Sequence, residues 1–296
     1  MQARSGAWLR EPLERVYRTF DHLHAASDPV HLVRRYSAPE DQEVVAFCAA
    51  GLAFGRIASV LRSIESLLAA MGPRPAAFVR AFDPVTDGLR LATLVHRWIG
   101  GSDLAALMLI LQRMLRESGS LERFFLAGDV PDAPDIEAGL EAFSTRALAM
   151  DVRAAYGRVL KRPGVSNFFP RPSAGSACKR LNLFLRWMVR KDVIDLGVWT
   201  AVSPSRLIVP LDTHIVRLGQ CLRLTRYRSP GWKMAAEITA SLRAIDPADP
   251  VRYDFALCHV GMMGACGFSH AQKDSQCPLR GVCRPKVRSR RLKVKG

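Results

Sequence analysis

Along most of the chain, apolar residues recur at intervals of three and four, the spacing that gathers them on one side of an α-helix. In residues 8–24, Leu9, Leu13, Val16, Tyr17 and Phe20 form such a side. Residues 41–54 and 56–70 predict two more helices, joined near Gly55. Residues 103–117 predict an apolar helix that Ser102 or Asp103 opens as a cap. The same periodicity predicts helices over 87–98, 134–149, 178–190, 213–222, 231–243 and 251–262. Runs that alternate with a period of two are scarce, so the expected fold class is all-α. Prolines and serines interrupt the pattern at 163–176, and 197–210 is irregular; both stretches predict loops. No internal repeat is present.

Composition narrows the function. A length of 296 residues with 49% hydrophobic content can fill two domains. Forty-three Lys and Arg against 27 Asp and Glu leave a net charge of +16. An excess of this size points to a polyanionic partner, nucleic acid first. Residues 284–296 hold seven basic residues and no acidic one, which predicts an arm that touches phosphates, a solvated tail being the alternative. The longest apolar runs, such as 104–111, fall far short of the ~20 residues of a membrane span. Trp8 and Leu9 are followed at once by Arg10 and Glu11, which is not a leader pattern. The expectation is a cytoplasmic, nucleoid-associated protein without membrane contact. Seven cysteines in a reducing compartment argue against disulfides, and four of them fall within 258–283, which favours a metal or cluster.

The string at 208–224, IVPLDTHIVRLGQCLRL, carries the most information. Asp212 stands where a helix N-cap belongs, and on its own the residue type predicts a carboxylate accepting a backbone N–H. Within that string, PLDTHIVRLGQCL resembles the aspartate-bearing segment of the helix-hairpin-helix DNA glycosylases, the endonuclease III-like superfamily. The resemblance runs from about residue 30 to 283, and 179–214 is similar to a bacterial branch of that superfamily. It implies two helical domains with DNA in the cleft between them: a barrel over 40–185, and a second domain made of 1–39 and 186–283. It also implies that Asp212 faces the deoxyribose of an everted nucleotide in double-stranded DNA bearing a damaged base, the protein acting as a monomer. A carboxylate at a helix N-terminus stays ionised. It can then stabilise an oxocarbenium-like sugar or take a proton from an attacking amine or water. Thr213 and His214 would orient the turn, His214 on the DNA side.

Glycosylases of this kind that also cleave the strand use a lysine amine, placed after a glycine-rich hairpin. In GSACKRLNLFL, residues 175–185, Gly175, Asn182 and Leu185 fit that frame and put Lys179 at the nucleophile position, with Arg180 beside it as a phosphate contact. Ala177 replaces the second hairpin glycine, and the 33-residue step from Lys179 to Asp212 is longer than in the usual branch, though similar to the archaeal 8-oxoguanine branch. Without the resemblance, Lys179 and Arg180 are basic residues gripping phosphate at a helix start.

Endonuclease III-like proteins end in a [4Fe–4S] loop of the form C-x6-C-x2-C-x5-C. Here Cys266 fits its first position and Cys277 and Cys283 its last C-x5-C step, while Lys273 and Asp274 stand where the second cysteine belongs. Cys258 is the expected replacement ligand, with His270 and Asp274 as lesser candidates; zinc is the alternative to the cluster. Arg280 and Arg284 beside the loop are expected phosphate contacts. Gly51, Phe54 and Arg56 are placed by the resemblance near a base pocket, core packing being the plainer expectation for this stretch. Phe168 and Phe169 predict either a wedge in the duplex or a loop anchor. Cys48, Cys178 and Cys221 are expected as small buried hydrophobes, and Asn182, Trp187 and Met188 as core or domain-interface residues. The function expected from all this is a DNA glycosylase, with or without AP-lyase activity; a non-catalytic nucleic-acid binder on the same scaffold is the alternative.

Overall fold

The computed structural model describes residues 7–19, 28–160, 163–262 and 277–283. Among these the fold is helical, with no strand and only two isolated bridges. The first half runs α1 (Ala7–Thr19), α2 (Val30–Val33), α3 (Pro39–Leu52), α4 (Ile57–Met71), α5 (Pro75–Ala81), α6 (Thr86–Leu91), α7 (Gly101–Ser118), α8 (Leu121–Leu126), α9 (Glu137–Leu148) and α10 (Arg153–Tyr156). The second half runs α11 (Lys179–Val189), α12 (Thr213–Cys221), α13 (Trp232–Arg243) and α14 (Asp254–Met262). No helix among the described residues is long and apolar enough to cross a membrane.

Helices α3 and α11 form the central pair. From Glu43 to Leu52 every residue of α3 is buried, so this helix is enclosed by neighbours on all sides rather than amphipathic. That is why its apolar residues run together instead of recurring at helical spacing. Phe47 of α3 packs edge-on against Phe184 of α11 at 5.2 Å between ring centroids, and against Phe169 at 5.5 Å. Phe168 and Phe169 are both 1% exposed. Of the two roles expected for them, the structure supports the loop anchor: neither ring has a face to offer a base. Gly51 permits this packing, because a Cβ there would lie 2.6 Å from the Phe168 ring. One continuous set of buried apolar side chains extends from Leu9 to Leu279 and includes residues of both expected domains.

Several expectations need correction. The helix predicted over 87–98 ends at Leu91. Residues 96–99 instead form a tight turn in which His96 and Ile99 exchange both backbone hydrogen bonds, at 2.8 and 2.9 Å. The apolar spacing misled because Val95 and Trp98 face solvent, at 67% and 60% exposure, while the polar His96 is the buried residue. Helix α1 is described only to Thr19, and the rest of the expected 8–24 helix lies outside the described residues. The short helices α2, α5, α8 and α10 had no predicted counterpart, being too brief to show a period. The basic arm 284–296, Arg284 included, also lies outside the described residues.

The second half contains an ionic core that the sequence pattern does not reveal. Arg186 pairs with Asp195 at 3.2 Å and with Asp254, while Arg190 pairs with Asp195 and with Asp249 at 2.9 Å. Both arginines are buried. Buried charges are tolerable only when paired and hydrogen-bonded, so this network ties α11 to α14 and to the turn at 192–195.

Candidate active site

Asp212 ends a buried segment. Leu207, Ile208, Val209 and Leu211 are all in the core, and the Val209 N–H donates to the buried Thr239 hydroxyl of α13 at 3.0 Å. This fixes where the chain enters α12. Asp212 is extended, at φ −98° and ψ −177°, and its carboxylate accepts from the Ile215 N–H at 2.7 Å, so the expected N-cap is present. Its second oxygen accepts from the Cys258 thiol at 3.0 Å. The residue is half-buried, with the exposed Thr213 next to it, and so the carboxylate is not sealed in the core.

Helix α14 forms the wall behind this carboxylate and packs along α12. Gly261 lets the two helices approach: a Cβ there would fall 2.6 Å from His214 Cβ and 2.7 Å from its Nδ1. His214 Nδ1 is buried without a hydrogen-bond partner among the described residues. His214 is thus packed against α14 at Gly261. One helical turn before Cys258, Asp254 bonds Arg186 through one oxygen, and its other oxygen has no partner among the described residues. Burial, opposed by Arg186 and reinforced by the charge of Asp212, pushes the Asp254 carboxyl up to about 7.

Lys179 opens α11, directly after Cys178, a non-glycine residue in the left-handed region at φ 48°. Its Nζ donates to the Ala53 carbonyl at 3.3 Å, at the end of α3. No hydrogen bond or ion pair joins Lys179 to Asp212 among the described residues; the amine rests on the α3–α4 junction and the carboxylate on α14. Arg180 donates to the carbonyls of Gly51, at 3.1 Å, and Asn167, and its guanidinium lies 5.0 Å from the Phe54 ring centroid. Burial lowers its pKa. In place of the open phosphate contact expected of it, Arg180 braces the core loop against α3. Arg56, at the N-cap of α4, is exposed, as is Arg280. Asn182, Trp187 and Met188 are core residues, and so are Cys48 and Cys178, whereas Cys221 is only half-buried.

The predicted cluster ligands are only partly described. Cys277 is buried and Cys283 half-buried on one short turn, in which the Cys283 N–H donates to Leu279 O at 3.1 Å; Cys266, His270 and Asp274 lie outside the described residues. Cys258, the expected fourth ligand, is hydrogen-bonded to Asp212 through its thiol. Burial and then the charges of Asp212 and Asp254 push this thiol well above its ordinary value. Among the described residues no three His, Cys, Asp or Glu side chains converge as metal ligands.

A groove of about 690 Å³ lies elsewhere, between the 172–175 turn and the start of α13, lined by Pro172, Gly175, Tyr227, Trp232 and Lys233 among others. It includes neither Asp212 nor Lys179. It does adjoin the turn that precedes Lys179, where Gly175 adopts φ 77°.

Sequence reasoning missed Cys258 as a partner of Asp212, because nothing in either segment signals that α12 and α14 lie side by side. The family described as "Protein of unknown function (DUF2400)" matches residues 28–263, a span that includes Lys179, Asp212 and Cys258. No curated protein and no solved structure matches the chain.

Proposed function

We propose that this chain, which belongs to the DUF2400 family, is a DNA glycosylase that excises a damaged base from double-stranded DNA. Its working parts would be two helical domains flanking a cleft, with one nucleotide everted into it. The observation that carries the reading is Asp212: a carboxylate held by a helix N-terminus and a thiol, half-open to solvent, in the segment whose sequence resembles the catalytic loop of the endonuclease III-like superfamily. As a carboxylate the group stabilises positive charge developing on the sugar as the base departs with the bonding electrons.

Lys179 is the proposed nucleophile for strand cleavage. Its amine, once released from the Ala53 carbonyl and deprotonated, attacks C1′ as the base leaves, and Asp212 accepts the proton that the amine sheds. Opening of the C1′–O4′ bond, with O4′ taking the proton held by Asp212, then gives a protonated Schiff base, which permits β-elimination of the 3′ phosphate. Arg56 and Arg280 contribute phosphate contacts, and the net charge of +16 strengthens binding to the polyanion. An iron–sulfur cluster, if bound, would draw on Cys266, Cys277 and Cys283; no step above depends on it. The same charge supports the second reading, a non-catalytic binder of nucleic acid in the cytoplasm, which requires neither Asp212 nor Lys179.

The test is base release from a panel of duplex oligonucleotides, each with one modified base, combined with borohydride trapping. Trapping that disappears in Lys179→Gln supports a glycosylase with lyase activity. Base release without trapping supports a monofunctional glycosylase. DNA binding without release from any duplex, unchanged in Asp212→Asn, leaves only the binder.

A further inference from the structure

The turn at 96–99 presents an aromatic step on the surface, beside the proposed nucleophile. Trp98 lies against Phe54 with ring centroids 4.8 Å apart and planes 31° from parallel, and yet remains 60% exposed. The two rings together leave an aromatic surface open to solvent. It is held by construction. His96, 3% exposed, packs edge-on to Phe54 at 4.6 Å. Its Nε2 lies 2.9 Å from the Phe54 carbonyl and its Nδ1 2.9 Å from the Ser63 hydroxyl. Because a carbonyl only accepts, Nε2 carries the proton and Nδ1 accepts from Ser63. The turn is thereby pinned to the α3–α4 junction at Phe54 and to the body of α4 at Ser63. Arg97 adopts φ 55°, a costly conformation for a residue with a side chain, and this leaves Trp98 pointing outward.

Positive charge surrounds the step. Arg97 lies 5.7 Å from the Trp98 ring centroid and Arg180 5.0 Å from that of Phe54. Arg97 and Arg56 are exposed and have no acidic partner among the described residues. Lys179 bonds the carbonyl of Ala53, the residue before Phe54. Aromatic rings among cations bind single-stranded nucleic acid by stacking on the bases while the charges follow the backbone.

We infer that Phe54 and Trp98 form a stacking platform for an unpaired DNA base, with Arg56 and Arg97 on the flanking phosphates. The inference rests on the proposed DNA-handling role, and it adds a binding surface centred on Trp98. Paired bases in an intact duplex present no free face, so the platform distinguishes DNA with a base out of the stack from continuous duplex.

The experiment compares two duplexes by fluorescence anisotropy at one salt concentration: one fully paired, and one identical except for a single unpaired base. Trp98→Ala is expected to weaken binding of the unpaired-base duplex by roughly 5- to 100-fold, and of the paired duplex by no more than about twofold. Trp98→Phe is expected to restore most of the loss. Trp8→Ala, which removes another exposed ring from α1, is expected to change neither. An unchanged melting temperature for Trp98→Ala shows that the loss is not unfolding. Equal losses on both duplexes, or none on either, overturn the platform. Selective loss in a protein that releases no base retains the platform and removes the glycosylase reading; base release without selective loss does the reverse.

Discussion

The Cys258 thiol donates to Asp212 at 3.0 Å, across the contact between α12 and α14. This bond bears on two questions. It gives the proposed catalytic carboxylate a second donor besides the Ile215 N–H, which fixes the orientation of the group. It also occupies the sulfur that the cysteine spacing had suggested as a cluster ligand.

Replacing Cys258 therefore separates the two roles. Cys258→Ala removes one hydrogen bond and is expected to slow base release by about 3- to 10-fold, the size of a single such contact, while Cys258→Ser keeps a donor and most of the rate. Iron or zinc content per chain should be the same in all three proteins. A loss of metal in Cys258→Ser would return the cysteine to the ligand set.

Asp212 should show separable capping and chemical functions. Asparagine caps a helix about as well as aspartate, so Asp212→Asn is expected to leave the unfolding midpoint unchanged while reducing base release by about 10²- to 10⁴-fold. Asp212→Ala should lose the activity and, in addition, about 0.5–2 kcal/mol of stability, measured by urea unfolding.

Gly261 is required by the distance between helices. The Cβ of Gly261→Ala would meet His214 at 2.6 Å, against side-chain and backbone-linked atoms that have little room to retreat. The expected cost is about 1–3 kcal/mol. Gly88→Ala, where an added Cβ meets nothing within 4 Å, is the control and should cost nothing comparable.

Asp254 predicts the direction of one pH effect. Its carboxyl is pushed up to about 7 in the folded state, mainly by burial, while an unfolded aspartate titrates near ~3.9. Between these values the folded chain holds a proton that the unfolded chain has released. Its contribution is thus complete below about pH 4 and is lost as pH rises towards 7. Asp254→Asn should flatten the urea midpoint over that window. A midpoint that rises with pH equally in both proteins would contradict the assignment.

His96 predicts the opposite sign. Burial, and then the charges of Arg97 and Arg180 against the Phe54 carbonyl bond, lower its pKa. The folded state resists protonation, so stability falls as pH drops below the ordinary ~6.5 of an unfolded histidine. His96→Ala would leave the Phe54 carbonyl and Ser63 hydroxyl without this partner, at an expected cost of about 1–3 kcal/mol, and should abolish the pH dependence it causes.

Much of the fold and the centre of the site can be read along the chain. Periodicity marked α4, α7, α9, α11, α12, α13 and α14 to within a few residues, because each spans several turns and most bury one defined side, while a continuous apolar run marked α3. The cap at Asp212 was legible for the same kind of reason: an N-cap is settled within four residues. What the chain alone did not reveal lies between segments distant in sequence. Glu43 accepts from two backbone amides of α8 and from the Trp199 indole, at 2.6 Å for the last, and no local pattern distinguishes it from a surface glutamate. Arg186 and Asp254, 68 positions apart, look like ordinary helix-face charges until packing excludes water from both. Trp98 looked like part of a helix until the 96–99 turn placed it outward. Local structure follows from interactions within a few residues, which sequence preserves in order. The environment of Asp212, Cys258 and Trp98 follows from which helices meet, and that depends on the packing of the whole chain.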